Sequence, residues 1–286
     1  MTKISFYISS LLDDNSSIME FEKKIIKFCD LLNDIINSDN HINIPSEFYT
    51  STIDGNITLA EYLFTPQYAS DLRDLLYEHI REYNRSDINY SSLYVLLDEK
   101  DNTSYKALVG MHDNKYINED RLYINNTDRL LFPHRFYLGQ LKSIDNFKED
   151  FQSCFPNLFF HERVKYTLNA FNDFTTHSSE LIRHLSVLND SAKNLYITIG
   201  RVSDEIYERL KSEFNIIASG RGANEGLDKF QCQFHTIDNK VETIRCNPHT
   251  KLYYAHSDFR IYFNWGRENI ESGKILVGHI GNHWKD

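Results

Sequence analysis

Residues 251–286 read KLYYAHSDFRIYFNWGRENIESGKILVGHIGNHWKD, a stretch that combines strong strand signals with clustered aromatic, basic and imidazole side chains. Within it, DFRIYFNW and KILVGHIG are rich in β-branched and aromatic residues that alternate with polar ones, a pattern typical of β-strands. Further short strand segments precede them, at 215–220, 229–237 and 241–246. We therefore predict a small, mostly antiparallel β-module over residues 201–286, with one helix at 204–214 packed on it.

The first 200 residues have a mainly helical pattern. In IMEFEKKIIKFCDLLNDIINS (18–38), apolar residues recur at helical spacing between Glu and Lys, which predicts a long amphipathic helix. A second predicted helix begins at Pro66, because proline is favoured in the first helical turn. The alternating run at 3–9 predicts a strand.

Two further apolar runs predict strands in the same part of the chain. SLYVLLD (92–98) and YKALVGMH (105–112) predict a β-hairpin, and NLYITIG (194–200) predicts a single strand. The fold class that follows is α+β. We expect an acidic, mainly helical domain with a small sheet over 1–200 and the β-module over 201–286, with the boundary set by the change from helices to strands.

Composition favours a protein of the cytoplasm. The four cysteines are far apart in sequence, which is unlike the dense pattern of a disulfide framework. The N-terminus lacks the basic start and apolar core of a signal peptide. No run of about 18 uncharged apolar residues is present, so no membrane partner is expected.

The charge is unevenly distributed along the chain. The net charge is −10, yet residues 201–286 hold 12 of the 31 basic and 12 of the 41 acidic residues, so the acid excess lies in the first 200. An acidic protein binds nucleic acid poorly in general, because phosphate contacts dominate that affinity. The neutral C-terminal part, with its clustered Arg, Lys and His, is where RNA binding is expected.

The candidate catalytic residues lie on the predicted strands of this C-terminal stretch. Alternation places Arg260 and Tyr262 on one face of DFRIYFNW, while Ile275, Val277 and His279 share a face of the next strand. If the two strands pair, Arg260, Tyr262 and His279 form one patch, with His283 following it. Such a patch suits a phosphodiester, because Arg neutralises the transition-state charge and His or Tyr moves a proton. The alternative interpretation is a solvated strand arginine and a half-buried structural histidine.

This part of the chain resembles the RelE/ParE-type toxins. The resemblance covers about residues 204–286 and rests on a helix followed by an antiparallel sheet, with Arg260 in an RIYF strand and His279 in a KILVGHIG strand. In that family, ribosome-dependent members cut mRNA with Arg, Lys, Tyr or His on the sheet face. The resemblance therefore implies a ribonuclease site at Arg260, Tyr262 and His279. As a whole, the chain resembles uncharacterised proteins of bacterial defence loci.

Two C-x₂-H pairs form a second candidate site. Cys232 and His235 precede a predicted turn near residue 239, and Cys246 and His249 follow it. Four nitrogen and sulfur ligands are what a closed structural zinc site requires. Positions i and i+3 of a regular strand point to opposite faces, so zinc binding would need a bulge. Without one, the set is a cysteine pair and two unrelated histidines, and no cofactor is expected.

The helix after Pro66 carries an R-D-x₄-H string. Arg73 and His79 in this string resemble the motif of HEPN ribonucleases, which cleave RNA without a metal. The alternative is a solvated helix face on which Glu78 and Arg81 lie beside His79. No P-loop or dinucleotide fingerprint is present, so motif-based nucleotide chemistry is not indicated.

These observations favour an RNA-directed effector, a metal-independent ribonuclease of a bacterial defence or toxin-like system. The alternative is a non-enzymatic component of a defence complex, in which the β-module binds a protein partner. The expected partner is RNA in the first case and a protein in the second. The oligomeric state does not follow from the sequence.

Overall fold

The chain folds into two compact units in a computed structural model that describes residues 1–11, 17–53, 56–200, 203–220, 230–253 and 257–283. The N-terminal unit is Thr2–Gln140, and the C-terminal unit is Leu141–Asp286 together with Met1. The fold class is α+β, as predicted. The predicted boundary near residue 200 falls inside the C-terminal unit, because a strand at Leu158–Phe160 pairs with the last strand of the chain.

The N-terminal unit is built on a five-stranded parallel sheet. Its strands are β1 (Ser5–Ile8), β2 (His41–Ile44), β3 (Asn84–Arg85), β4 (Lys106–Val109) and β5 (Tyr123–Ile124). The order is β3-β2-β1-β4-β5, and every pairing is parallel. From β1, the chain first adds β2 and β3 on one side and then β4 and β5 on the other. This is the arrangement of a doubly wound sheet.

The described residues of this unit form the α-helices α1 (Ile18–Asn37), α2 (Leu59–Phe64), α3 (Asp71–Ile80), α4 (Tyr90–Leu97) and α5 (Phe132–Gly139). The predicted long helix is confirmed as α1, whose apolar stripe, including Phe21, Ile25 and Leu32, is buried. The side chain of Ser17 caps α1 by accepting a hydrogen bond from the Glu20 amide.

The predicted hairpin over 92–112 does not form. Residues 92–97 belong to α4, which the Asn89 side chain caps by accepting a hydrogen bond from the Ser92 amide. The strand β4 forms as predicted but pairs in parallel with β1. An apolar run of this length is compatible with a buried strand or with a buried helix. Here the Asn89 cap and the tertiary packing stabilise the helix.

The C-terminal unit contains a mixed sheet and a separate hairpin. The strands are β6 (Leu158–Phe160), β7 (Ala218–Ser219), β8 (Gln231–His235), β9 (Val241–Arg245), β10 (His249–Lys251), β11 (Phe259–Asn264) and β12 (Ile275–Asn282). The sheet order is β6-β12-β11-β10-β7, and β8 and β9 form a two-stranded hairpin. The pairings among β7, β10, β11 and β12 are antiparallel, whereas β6 joins β12 in parallel.

The helices of this unit are α6 (Ile144–Asp150), α7 (Val164–Thr167), α8 (Phe174–Val187), α9 (Lys193–Thr198) and α10 (Ser203–Phe214). The predicted helix at 204–214 is confirmed as α10. The predicted strand at 194–200 is instead α9 and its end, because the chain continues from α8 through a π-helical turn at Leu188–Ala192 without leaving the helical conformation. No helix within the described residues has an apolar stretch long enough to cross a bilayer.

Candidate functional site

A β-bulge at Gly278 decides which side chains of β12 face those of β11. Tyr262 pairs with His279, but the next residue, Phe263, pairs with Val277, so Gly278 is the extra residue. Regular alternation predicts that Val277 and His279 share a face. The bulge separates them, and it places His279 on the face of Tyr262.

A polar row crosses the sheet on this face. The Tyr262 ring lies 4.8 Å from the His249 ring and 5.8 Å from the His279 ring, measured between centroids. The His283 ring lies 6.4 Å from that of Tyr262. Arg260 is two residues before Tyr262 on β11 and pairs with Lys251 of β10. The structure thus brings together the four residues predicted from the sequence and adds His249 and Lys251 to them.

Most of this row is buried. The exposed fraction is 0% for Tyr262, 3% for His249, 6% for His279 and 9% for Arg260. Burial lowers the pKa of His249 to about 4, helped by the nearby charges of Lys251 and Arg260. Burial likewise lowers the pKa of His279 to about 4, with Arg163 contributing. Both imidazoles are therefore neutral at pH 7.

Backbone carbonyls hold the ends of the row in place. The Nε2 of His279 donates a hydrogen bond to the Asn282 carbonyl at 2.9 Å. The Nη1 of Arg260 donates to the carbonyls of Ser257 and Phe259 at 3.0 and 2.8 Å. A substrate phosphate would therefore have to compete with these carbonyls for the guanidinium.

The predicted zinc ligands do not gather at one point. Cys232 and Cys246 lie together, because the thiols of both approach Gly278. In contrast, His249 belongs to the polar row, and the exposed His235 ends β8 three residues after the buried Cys232. Within the described residues, no three His, Cys, Asp or Glu side chains are placed to hold a metal ion. The strand stays regular, so its i and i+3 positions diverge.

A pocket of about 650 Å³ lies where β6 ends and α7 begins, facing β8. Five of its polar lining residues fall in the short sequence HERVKY: His161, Glu162, Arg163, Lys165 and Tyr166. His235 and Cys232 line it from β8. The sequence interpretation missed this site, although two basic residues and a tyrosine within five positions of His161 were a signal for it.

Arg163 is held in place in the pocket wall, whereas Lys165 and Tyr166 are exposed to solvent at its rim. The Nε of Arg163 donates to the Gly278 carbonyl at 2.7 Å, which fixes the guanidinium beside β12. Burial lowers the pKa of His161, and the Arg163 charge lowers it further. Lys165 is exposed, and the Tyr166 side chain is 75% exposed. The pocket therefore offers a neutral imidazole, two cations, the exposed carboxylate of Glu162 and an accessible aromatic ring.

The Cys232 thiol, which lines the pocket, and the neighbouring Cys246 thiol have their pKa shifted in opposite directions. A hydrogen bond with Cys246 lowers the pKa of Cys232, and the Arg163 charge acts in the same direction against burial. The same hydrogen bond and burial raise the pKa of Cys246. Cys232 is the more acidic thiol of the pair.

The R-D-x₄-H string of α3 engages in local contacts. Arg73 pairs with the neighbouring Asp74 at 2.7 Å. The Nδ1 of His79 donates to the Leu75 carbonyl at 3.0 Å, one turn earlier in the same helix. The string lies beside a parallel sheet, whereas HEPN domains are all-helical.

Replacing Gly278 by Ala is expected to destabilise the C-terminal unit by about 2 kcal/mol, the cost of overpacking a buried site. The added Cβ would lie 2.7 Å from the Sγ atoms of both Cys232 and Cys246. Urea unfolding followed by tryptophan fluorescence measures the loss. Adding Cys232→Ala and Cys246→Ala makes room and should recover part of it; equal stability of wild type and Gly278→Ala would contradict this packing.

Comparison of the chain with protein-family models, with curated proteins and with solved structures finds no match in any of the three.

Proposed function

We propose that this protein is an RNA-directed effector that binds single-stranded RNA in the pocket of its C-terminal unit. The observation that carries the proposal is the combination of Arg163, Lys165 and the exposed Tyr166 around one cavity. Single-stranded nucleic acids are bound by cations that follow the backbone and by aromatic rings on which bases stack. The pocket has both features within a few residues of chain.

The same pocket has the groups for metal-independent RNA cleavage. Neutral His161 is able to accept the proton of a ribose 2′-hydroxyl, whose oxygen then attacks the adjacent phosphorus. The bond from phosphorus to the 5′-oxygen breaks, and that oxygen takes a proton from a second imidazole, for which His235 is available in the pocket. Arg163 stabilises the charge that develops on the phosphate. A cyclic phosphate and a free 5′-hydroxyl result.

The polar row is a second possible centre for the same reaction. Arg260 would stabilise the phosphate there, and His279 or His283 would transfer protons with Tyr262 nearby. Its burial argues for a supporting role, because RNA would first have to displace the groups that cover Tyr262. A ribonuclease of a bacterial defence or toxin-like system fits either centre. Binding without cleavage fits a non-enzymatic component of a defence complex.

The double variant Lys165→Ala/Tyr166→Ala is expected to bind RNA at least tenfold more weakly than wild type. It loses one phosphate contact and one stacking platform, and a stacked base alone contributes about 1–3 kcal/mol. Fluorescence anisotropy with a labelled single-stranded RNA measures the affinity at several salt concentrations. The exposed Lys211 of α10 provides the control as Lys211→Ala. Equal affinity of the double variant and wild type would refute the pocket as the RNA site.

Cleavage is tested separately, by incubating total RNA with wild type, His161→Ala and Arg260→Ala. Loss of cleavage in His161→Ala alone places the reaction in the pocket. Loss in Arg260→Ala alone places it in the polar row, provided that the unfolding midpoint of this variant is unchanged. RNA binding without any cleavage by wild type would leave the non-enzymatic alternative.

A further inference from the structure

Two of the four cysteines lie side by side on the β8–β9 hairpin. Cys232 pairs with Ile244 across the hairpin, and Cys246 follows two residues later, where its amide donates to the Phe230 carbonyl at 2.8 Å. Residues two apart on a strand point to the same face, so both thiols lie on the buried face of the hairpin. Both are free thiols in the structure.

The bulge glycine of β12 makes room for this pair of thiols. The Sγ atoms of Cys232 and Cys246 each lie 2.7 Å from the point that a Cβ of Gly278 would occupy. Each sulfur also lies 3.9 Å from a carbonyl oxygen of β12, that of Gly278 for Cys232 and that of Leu276 for Cys246. Because both sulfur atoms approach one point, they are within hydrogen-bond reach of each other.

Cys232 is the member of the pair that a small molecule reaches from the pocket. Among the described residues that line this cavity of about 650 Å³, Cys232 is the one cysteine. Its exposed fraction is 3%, which favours a small reagent over a bulky one. Cys246, in contrast, is 0% exposed. The two thiols therefore differ in access as well as in pKa.

A guanidinium beside Cys232 favours its thiolate, the form of cysteine that acts as a nucleophile. The hydrogen bond with Cys246 lowers the pKa of Cys232 most, and the charge and a hydrogen bond of Arg163 lower it further, against the effect of burial. Arg163 is itself held at β12, because its Nε donates to the Gly278 carbonyl at 2.7 Å. Cys246 keeps its proton, since its pKa is raised.

We propose that Cys232 is a site of oxidation by small hydroperoxides, such as hydrogen peroxide, and that Cys246 then forms a disulfide with it. In the first step the Cys232 sulfur attacks one peroxide oxygen. A sulfur–oxygen bond forms, the oxygen–oxygen bond breaks, and the other oxygen leaves as water or an alcohol with the thiol proton. Cys232 becomes a sulfenic acid, oxidised by two electrons, while the peroxide is reduced by two.

In the second step the Cys246 sulfur attacks the sulfur of the sulfenic acid. The sulfur–sulfur bond forms, the sulfur–oxygen bond breaks, and the hydroxyl group leaves as water with the Cys246 proton. A reactive cysteine that lies next to a second, resolving cysteine is the usual arrangement of such a site. The inference does not depend on RNA binding, because it uses only the two thiols, the guanidinium and the access that the cavity gives.

The other two cysteines lack this combination and serve as internal references. Cys29 is buried in α1, and burial raises its pKa to about 12, with the Asp30 charge contributing. Cys154 is 1% exposed and lies just before β6 in the C-terminal unit. Neither of these two described residues lines the pocket. Both are therefore expected to react slowly.

Treatment of the full chain with hydrogen peroxide, followed by peptide mass spectrometry, tests the proposal. In wild type we expect a disulfide between Cys232 and Cys246 that dithiothreitol reverses, formed at least tenfold faster than Cys29 or Cys154 is oxidised. In Cys246→Ser the second step is blocked, so the sulfenic acid of Cys232 accumulates and is captured by dimedone. In Cys232→Ser, Cys246 is expected to remain a thiol.

Two controls separate the site from the fold. Slow oxidation of the buried Cys154 in each serine variant reports that the C-terminal unit is still folded. In denaturing urea the preference for Cys232 should disappear, because the folded surroundings that create it are lost. A folded wild type in which Cys232 reacts no faster than Cys29 and Cys154 would overturn the proposal. Dimedone capture in wild type as strong as in Cys246→Ser would overturn the role of Cys246.

Discussion

Acidification from pH 7.5 to pH 4.5 is expected to destabilise the C-terminal unit by several kcal/mol. His249 and His279 have their pKa lowered from 6.5 to about 4 by burial in the polar row. The unfolded chain takes up a proton on each histidine near pH 6.5, whereas the folded unit resists protonation until about pH 4. The free energy of unfolding is thus unaffected by them above pH 6.5 and falls as the pH drops from 6.5 to 4. Each contributes up to about 3 kcal/mol.

Urea unfolding at a series of pH values measures this loss. Tryptophan fluorescence reports on the C-terminal unit because Trp265 is buried in it. The variant His249→Gln/His279→Gln should show a much smaller change with pH than wild type. The exposed His235 gives the control, and His235→Gln should keep the wild-type dependence. The same pH dependence in the double variant and wild type would show that the polar row is not its origin.

Gly110→Ala is expected to destabilise the N-terminal unit by about 3 kcal/mol, at the upper end of what overpacking costs. The added Cβ would meet the hydroxyls of Tyr123 and Ser9 within 2.0 and 2.4 Å, and Tyr123 Cζ within 2.8 Å. The Tyr123 ring is buried and its hydroxyl is held by the His112 carbonyl, so it has little room to withdraw. Hydrogen exchange in peptides that cover β1 and β4 measures the loss of protection.

Rescue identifies the cause of this effect. Adding Tyr123→Phe and Ser9→Ala removes the two nearest atoms and should restore part of the protection. The same pair of substitutions in the wild-type background supplies the reference for a mutant cycle. Unchanged exchange in Gly110→Ala would mean that the strand ends are looser than the distances indicate.

Local patterns predicted those elements whose periodicity is unambiguous. The apolar stripe of α1 predicted both its type and its extent. The strand signals of β11 and β12 predicted two strands that pair, although the alternation of β12 breaks at Gly278. The strand predictions for residues 92–98 and 194–200 were wrong, because short apolar segments with β-branched and aromatic residues are compatible with a helix as well as with a strand. Their helical form depends on the Asn89 cap and on the continuous helical path from α8, which single-segment patterns do not contain.

The candidate sites depend on pairings between distant segments. Alternation predicted the neighbourhood of Arg260, Tyr262 and His279, but the bulge at Gly278 was needed to bring His279 to that face. The pocket at His161 requires β6 to reach the C-terminal sheet, a pairing between residues more than a hundred positions apart. No periodicity within either segment carries that information.

The position of β12 between β6 and β11 also has a consequence for protein synthesis. The five strands of the N-terminal sheet are all present once Ile124 has been translated. The C-terminal sheet must wait for Ile275–Asn282, without which β6 has no neighbour. Because non-local pairings form slowly, β6 and the apolar face of β11 remain uncovered while the ribosome makes the intervening chain. During that interval the nascent C-terminal unit exposes surface that the folded unit buries, so we expect chaperones to act on it more than on the N-terminal unit.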